Sequence, residues 1–83
     1  MKLRLRFFAS LREALGPGET LEVAPGTTLG QLRDALVARG GEHARLLGRG
    51  RAVRAALDQV MADEDAALHD GAEVAFFPPV TGG

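Results

Sequence analysis

The residues able to do chemistry are few, and the exclusions come first. Cysteine is absent, which removes disulfides, thiolate-held zinc, iron–sulfur clusters and thiol nucleophiles together. Any sulfur chemistry must therefore use sulfur brought from elsewhere. His43 and His69 are the only histidines; neither has a partner at metal-ligand or triad spacing, and both read as surface turn residues. Ser10 is the only serine, and its S-x-x-E spacing to Glu13 assigns it to a helix cap rather than to hydrolysis. Asp63-Glu64-Asp65 places three carboxylates side by side, but contiguous residues point in different directions and no spaced oxygen ligands follow. They read as a solvated turn, with Asp65 capping a short helix from Ala66 to Leu68. Gly48-Arg49-Gly50-Arg51 matches neither phosphate-loop spacing and reads as a solvated basic connector.

What remains is the backbone end, Pro78-Pro79-Val80-Thr81-Gly82-Gly83. Two prolines cannot donate to a sheet ladder and favour the polyproline conformation, so at ~3.1 Å per residue the six residues would reach ~18 Å beyond the last strand. Gly82 and Gly83 lack Cβ, and a narrow channel in another protein could admit them and bring the terminal carboxylate to a reactive group. An ATP-using partner could convert that carboxylate to an acyl-adenylate, open to attack by a sulfur or nitrogen nucleophile. The competing reading is a frayed terminus with no role.

The elements that must position this tail follow from periodicity. Lys2 to Phe8 alternates, with Leu3, Leu5 and Phe7 on one face and Lys2, Arg4, Arg6 and Phe8 on the other, which predicts a half-buried strand. A short helix from Ser10 to Leu15 ends at Gly16-Pro17-Gly18. Glu19 to Val23 alternates again, with Leu21 and Val23 inward. Thr28-x-x-Gln31 has capping-box spacing, and Leu29, Leu32, Leu36 and Val37 form one stripe of the main helix, closed by Gly40-Gly41. Glu42 to Leu47 adds one further turn. Val53, Ala55 and Leu57 share a strand face, Asp58-Gln59 turns the chain, and Val60 to Ala62 returns. Asp70-Gly71 leads into Glu73 to Phe77, with Val74 and Phe76 inward. The order implies an α+β domain with one sheet against one principal helix. If the first and last strands are neighbours, Phe8 and Phe77 lie together at the tail's root; they then mark a partner site or cap a minor core, and both readings stand.

Length and composition bound the rest. A chain of 83 residues supports one core and one domain. With 46% hydrophobic and 25% charged residues it falls in the globular range. A net charge of −1 gives no overall pull toward nucleic acid. No apolar run approaches the roughly 18 residues of a membrane span, and the opening residues alternate instead of forming a signal peptide. The expectation is a cytoplasmic protein with neither nucleic-acid nor membrane partners.

At Phe76-Phe77-Pro78-Pro79-Val80-Thr81-Gly82-Gly83, preceded by Asp70-Gly71-Ala72-Glu73-Val74-Ala75, and at Phe7-Phe8-Ala9 with Leu11-Arg12-Glu13, the chain resembles the MoaD-type sulfur carriers, the small subunits of molybdopterin synthase. The resemblance spans nearly the whole length and is weakest from Gly40 to Ala52. It implies a ubiquitin-like β-grasp fold of about five strands on one main helix over residues 1–77, first and last strands parallel at the sheet centre, with a flexible tail over residues 78–83. It further implies that a MoeB-type enzyme similar to ubiquitin's activating enzyme uses ATP to adenylate Gly83. A sulfurtransferase then supplies sulfur, which the chain carries as a thiocarboxylate with no cofactor of its own. The tail would enter a MoaE-type large subunit and give its sulfur to cyclic pyranopterin monophosphate, the catalytic groups belonging to that partner. By the same resemblance Phe8, Arg12, Met61 and Phe77 face partners and Pro78, Pro79, Val80, Thr81, Gly82 and Gly83 form the inserted arm. The sequence departs from the family pattern at Asp58, where relatives often have Asn, and at Met61, where they have a branched aliphatic residue. Carriers for thiazole synthesis or tRNA thiolation, and ubiquitin-like modifiers, share the Gly-Gly end; the length and the Phe-Phe-Pro-Pro step favour the molybdopterin branch.

Overall fold

The computed structural model describes residues 1–79. Eight elements follow one another: β1 (Lys2–Phe7), α1 (Ala9–Leu15), β2 (Gly18–Glu22), α2 (Leu29–Val37), α3 (Gly41–Leu47), β3 (Arg54–Leu57), β4 (Val60–Met61) and β5 (Glu73–Phe77). The sheet order is β2-β1-β5-β3-β4. β1 pairs in parallel with β5, from Arg4 opposite Glu73 to Phe7 opposite Phe76, while the β1–β2, β3–β4 and β3–β5 pairs are antiparallel. This is the mixed five-stranded α+β sheet of a β-grasp, with first and last strands at its centre as expected. The helix layer holds three helices, because Glu42–Leu47 extends into the two-turn α3 and buries Leu47.

Alternation decides which way the sheet faces. Leu3, Leu5 and Phe7 of β1 join Val74 and Phe76 of β5 and Leu29, Leu32 and Leu36 of α2 in one buried cluster, closed by Leu11, Leu47, Leu68 and Ala72. Phe7 and Phe76 stack with ring centroids 6.2 Å apart. Fully burying each such side chain contributes roughly 1.5–3 kcal/mol. α2 begins at a capping box: Thr28 Oγ1 accepts from the Gln31 N–H and Gln31 Oε1 accepts from the Thr28 N–H.

Two expectations are corrected. α1 starts at Ala9 and no side chain caps it. The Phe8 N–H is committed to the Phe76 carbonyl, and the Phe8 carbonyl itself takes the Leu11 and Arg12 N–H groups. Ser10 therefore lies inside the first turn and cannot form the capping box with Glu13. Ala9 makes this abrupt start with φ 53°, a left-handed conformation that costs an L-residue roughly 1–2 kcal/mol. The second correction concerns Ala66–Leu68, which is not helical; Ala67 makes an antiparallel bridge to Thr28. The segment crosses the start of α2, where the Ala66 and Glu64 carbonyls accept the otherwise unpaired N–H groups of Leu29 and Gly30. Gly30 permits this approach, since a Cβ there would lie 3.1 Å from the Glu64 carbonyl oxygen.

The connector after α3 and the acidic turn are likewise not merely solvated. Arg33 of α2 is buried. Its Nε donates to the Leu47 carbonyl at 2.7 Å and Nη2 to those of Gly48 and Arg51 at 2.8 and 3.1 Å. Nη1 reaches Glu64 at 3.3 Å. Arg49 adds ion pairs to Asp34 and Glu64. One guanidinium thus satisfies the end of α3, the loop and the acidic turn together. Arg33→Met should cost about 2–3 kcal/mol by leaving these carbonyls unpaired, read as a lower urea midpoint; an unchanged midpoint would refute the clasp.

At the opposite end of the sheet Asp58 and Gln59 turn the β3–β4 hairpin with φ 49° and 69°, the paired positive values of a tight hairpin. The Asp58 carboxylate accepts from the Glu73 N–H at 2.9 Å and from His69 Nε2. The Glu73 N–H first, and the His69 bond second, hold its pKa below the usual carboxylate range. His69 Nδ1 lies 3.0 Å from the Asp70 carbonyl. Both ring nitrogens thus face acceptors, which requires the doubly protonated imidazolium. The Asp58 bond, then the Asp70 carbonyl, raise the His69 pKa. A raised pKa stabilises the fold fully below the unfolded value of about 6.5, and that stability is lost as pH rises through the folded value. An NMR titration should place His69 above 6.5, and Asp58→Asn should return it toward that figure; a wild-type midpoint at or below 6.5 would rule the bond out.

Candidate functional site

β1 and β5 run in parallel, so both end at the same edge of the sheet. The Phe8 N–H bond to Phe76, 3.1 Å long, carries their pairing one residue further and sets Phe8 beside Phe77. Phe7 and Phe76 point into the core, so their successors stand on the opposite, helix-free face. There Phe8 is 37% exposed and Phe77 half-buried. The structure brings these two sequence-predicted residues together at the end of the last strand, beside the half-buried Pro78 and Pro79. Val80, Thr81, Gly82 and Gly83, also singled out by sequence, lie outside the described residues.

The same face continues across the sheet in register. Arg6 is opposite Ala75, Ala75 opposite Ala56, and Ala56 opposite Met61. Met61, 51% exposed, therefore shares the Phe8–Phe77 face from β4, two strands beyond β5. Ala75 and Ala56, both buried, lie on this face between Arg6 and Met61. Arg54 borders Phe77 on its other side, and the Arg6 guanidinium sits over the Phe8 ring at 5.3 Å, within cation–π range. Arg12, on α1, does not join the aromatic pair; it borders a neighbouring groove with Arg4 and Arg6. Sequence reasoning placed Arg6 and Ala75 on the outer face but gave them no role. Their strand positions were the available signal, and the parallel register that makes them neighbours was not.

Catalytic side chains do not converge here. His43 is half-buried with its ring edge-on to Phe7 at 6.3 Å, and His69 is held by Asp58. Among the described residues no group of three or more His, Cys, Asp or Glu could hold a metal ion, and Glu64 of the acidic turn is engaged by Arg33 and Arg49. No helix among them is long and apolar enough to cross a membrane. The arrangement offers a docking face of apolar and cationic groups at the root of a C-terminal segment.

Comparison with known proteins identifies the family. The ThiS family model matches residues 5–83. The chain is 41% identical over 81 residues to the molybdopterin synthase sulfur carrier subunit of Escherichia coli (strain K12), covering 98% of this chain and 99% of that protein. The subunit of the same description from Mycobacterium tuberculosis is 38% identical over 85 residues, covering 100% and 99%. Among solved structures, SAMP1 from Haloferax volcanii superposes with a TM-score of 0.79 at 28% identity, covering all of both chains. A chain of the complex of subunits 1 and 2 of the molybdopterin-converting factor from Helicobacter pylori gives 0.69 at 26% identity, again over both full lengths. By its full-length match, its β-grasp sheet and its Gly-Gly end, this chain belongs to the ThiS family.

Proposed function

We propose that this chain is the sulfur-carrier subunit of a molybdopterin synthase and is not an enzyme by itself. The observation that carries the reading is the alignment, at 41% identity over 98% of the chain, with a protein described as that carrier. The Phe8–Phe77 root beside Pro78 is the surface such a role requires. In the proposed cycle a MoeB-type activating enzyme joins the Gly83 carboxylate to the AMP moiety of ATP and releases pyrophosphate. The terminal sulfur of a sulfurtransferase persulfide then attacks the acyl-adenylate and displaces AMP. A second thiol of the donor system cleaves the resulting acyl disulfide, becoming disulfide-bonded to the donor cysteine and leaving a thiocarboxylate. The C-terminal arm, Pro78 to Gly83, delivers it to a MoaE-type large subunit, where the sulfur bonds to cyclic pyranopterin monophosphate and water hydrolyses the acyl–sulfur bond, leaving sulfur on the pterin and returning Gly83 to a carboxylate. The acid–base work and the pterin pocket belong to that subunit. The chain contributes the reactive end and the face that positions it, with Phe8, Phe77, Met61 and Arg12 toward the partner. No cofactor is held by the chain, and the cycle runs in the cytoplasm, where ATP is available.

The test is intact mass after incubation with an activating enzyme, Mg-ATP and a sulfur source, followed by alkylation with iodoacetamide. Alkylation is needed because methionine oxidation nearly matches an oxygen-to-sulfur gain. With no cysteine in the chain, an adduct in the terminal peptide identifies a Gly83 thiocarboxylate. Deletion of Gly83 should abolish it and leave the melting temperature unchanged. No adduct while a control carrier loads normally, with Gly83 found joined to lysines of other proteins, would favour a ubiquitin-like modifier. Phe77→Ala should weaken binding of the large subunit by about tenfold or more, as an interface aromatic does, and should change the melting temperature little. Unchanged affinity in a calorimetric titration would remove Phe77 from the interface.

A further inference from the structure

Four of the nine arginines are ion-paired, and five, Arg4, Arg6, Arg12, Arg51 and Arg54, form no ion pair with any described residue. On the helix side Arg33, Arg39, Arg45 and Arg49 each hold a carboxylate within ion-pair distance. Of the five, Arg4, Arg6 and Arg12 line one open groove of about 330 Å³, walled by Pro17, Gly18 and Thr20. Glu19 also borders the groove, but its carboxylate is held by both Nη atoms of Arg39 at 2.6 and 3.0 Å. Arg6 has Gly18 and Ala75 as its lateral neighbours, so no carboxylate stands beside it. Arg4 has Thr20 and Glu73 as its neighbours and still makes no ion pair.

Gly18 keeps this groove open for a backbone reason. A Cβ at that position would lie 1.9 Å from the Leu5 carbonyl oxygen, so β2 approaches β1 too closely there for any side chain. The floor beside Arg6 is therefore bare. Three guanidinium groups along one open groove, with Glu19 at its border already held by Arg39, raise the local positive potential. The field is local, since the whole chain carries −1.

From this geometry we infer that the Arg4–Arg6–Arg12 groove receives an acidic segment of the partner subunit. The inference rests on the carrier reading and extends its interface from the Phe8–Phe77 root along β1. Arg4 and Arg6 are two apart on one strand face, so their Cα atoms lie about 6.8 Å apart. That spacing suits two carboxylates at alternate positions of an extended segment, or one helical turn apart at about 6 Å. Planar guanidinium groups take carboxylates bidentately. Arg6 bridges the two parts of the surface, with its guanidinium over the Phe8 ring. An acidic protein segment fits better than a nucleic acid, because the net negative charge opposes a phosphate backbone while leaving a short local pairing intact.

The experiment measures association of the full chain with the large synthase subunit encoded in the same genome, by stopped flow and calorimetry, at low and high NaCl. The variants are R4Q/R6Q, R6E and, as a control, R45Q, whose side chain is exposed and pairs only with Glu42 on α3. R4Q/R6Q should bind about tenfold more weakly, chiefly through slower association, and lose most of the salt dependence. R6E should be weaker still, and R45Q should match the wild type. Arg4 and Arg6 are exposed, so thermal melts should coincide. R4Q/R6Q binding with the wild-type rate and salt slope would overturn the inference and leave the carrier reading intact. Loss of heparin or poly(U) binding with no change toward the large subunit would reassign the groove to nucleic acid. A wild-type chain that does not bind the large subunit at all would overturn the carrier reading and this inference with it.

Discussion

The parallel pairing of β1 with β5 is the constraint on which the rest of the molecule depends. It places Leu5 beside Val74 and Phe7 beside Phe76, and these four residues are almost wholly buried. Parallel neighbours cannot be joined by a hairpin. Everything between Phe8 and Ala72 is therefore one long crossover that must return the chain to the start of β5. The helices belong to that crossover and cover the face where Phe7 and Phe76 stack. The same pairing brings both strand ends to one edge, so the C-terminal segment leaves from the centre of the sheet, braced on both sides, instead of from a fraying margin. Carbonyl–amide bonds from Phe8 to Phe76 and from β3 to β5 set the direction of its first residues.

A chain of 83 residues has enough sequence to cover one face of a five-stranded sheet and not two. The uncovered face is consequently where residue choice departs from stability. Ala56 and Ala75 are themselves buried on it, while Phe8 and Met61 keep large apolar surfaces in water. Arginine chemistry divides along the same line. On the covered side Arg33 does structural work, holding three carbonyls and Glu64, and Arg39 and Arg49 are tied to carboxylates. On the other face Arg4 and Arg6 form no ion pair with a described residue, although Arg4 lies opposite Glu73 and its charge helps lower the Asp58 pKa, and the inferred partner carboxylates would pair with them.

Local patterns in the sequence were legible where a single element sets them. Alternation in Lys2–Phe8 and Glu73–Phe77 gave the inward and outward faces, the Thr28/Gln31 spacing gave the start of α2, and Asp58-Gln59 gave the hairpin turn. Failures came where a distant partner decides. Ser10 has the right spacing for a cap, but Phe8 is tied to Phe76, sixty-eight positions away, and starts the helix early. Ala66–Leu68 has helical composition, yet the unpaired N–H groups of Leu29 and Gly30 draw it across the start of α2. Nothing in the sequence around Arg33 announces the carbonyls of Leu47, Gly48 and Arg51. The candidate site divides in the same way: Phe8 and Phe77 were named from their positions, their adjacency came with the resemblance to a known fold, and the groove beside Arg6 depends on the register of Gly18.

In the proposed carrier cycle the reactive group is the terminal carboxylate, and this has a consequence for recognition. Two glycines carry no side chain, so they can enter any channel narrow enough to exclude other residues and cannot tell one partner from another. Selectivity must then come from the folded part, and within it from the surface continuous with the tail's root. Apolar contact at Phe8, Phe77 and Met61 is adaptable and weakly discriminating, methionine especially so. Uncompensated charge is more demanding, because a partner without carboxylates at the right spacing would bury guanidinium groups unpaired and be rejected. The row Arg4–Arg6–Phe8 along one strand face thus combines a discriminating element with an adhesive one.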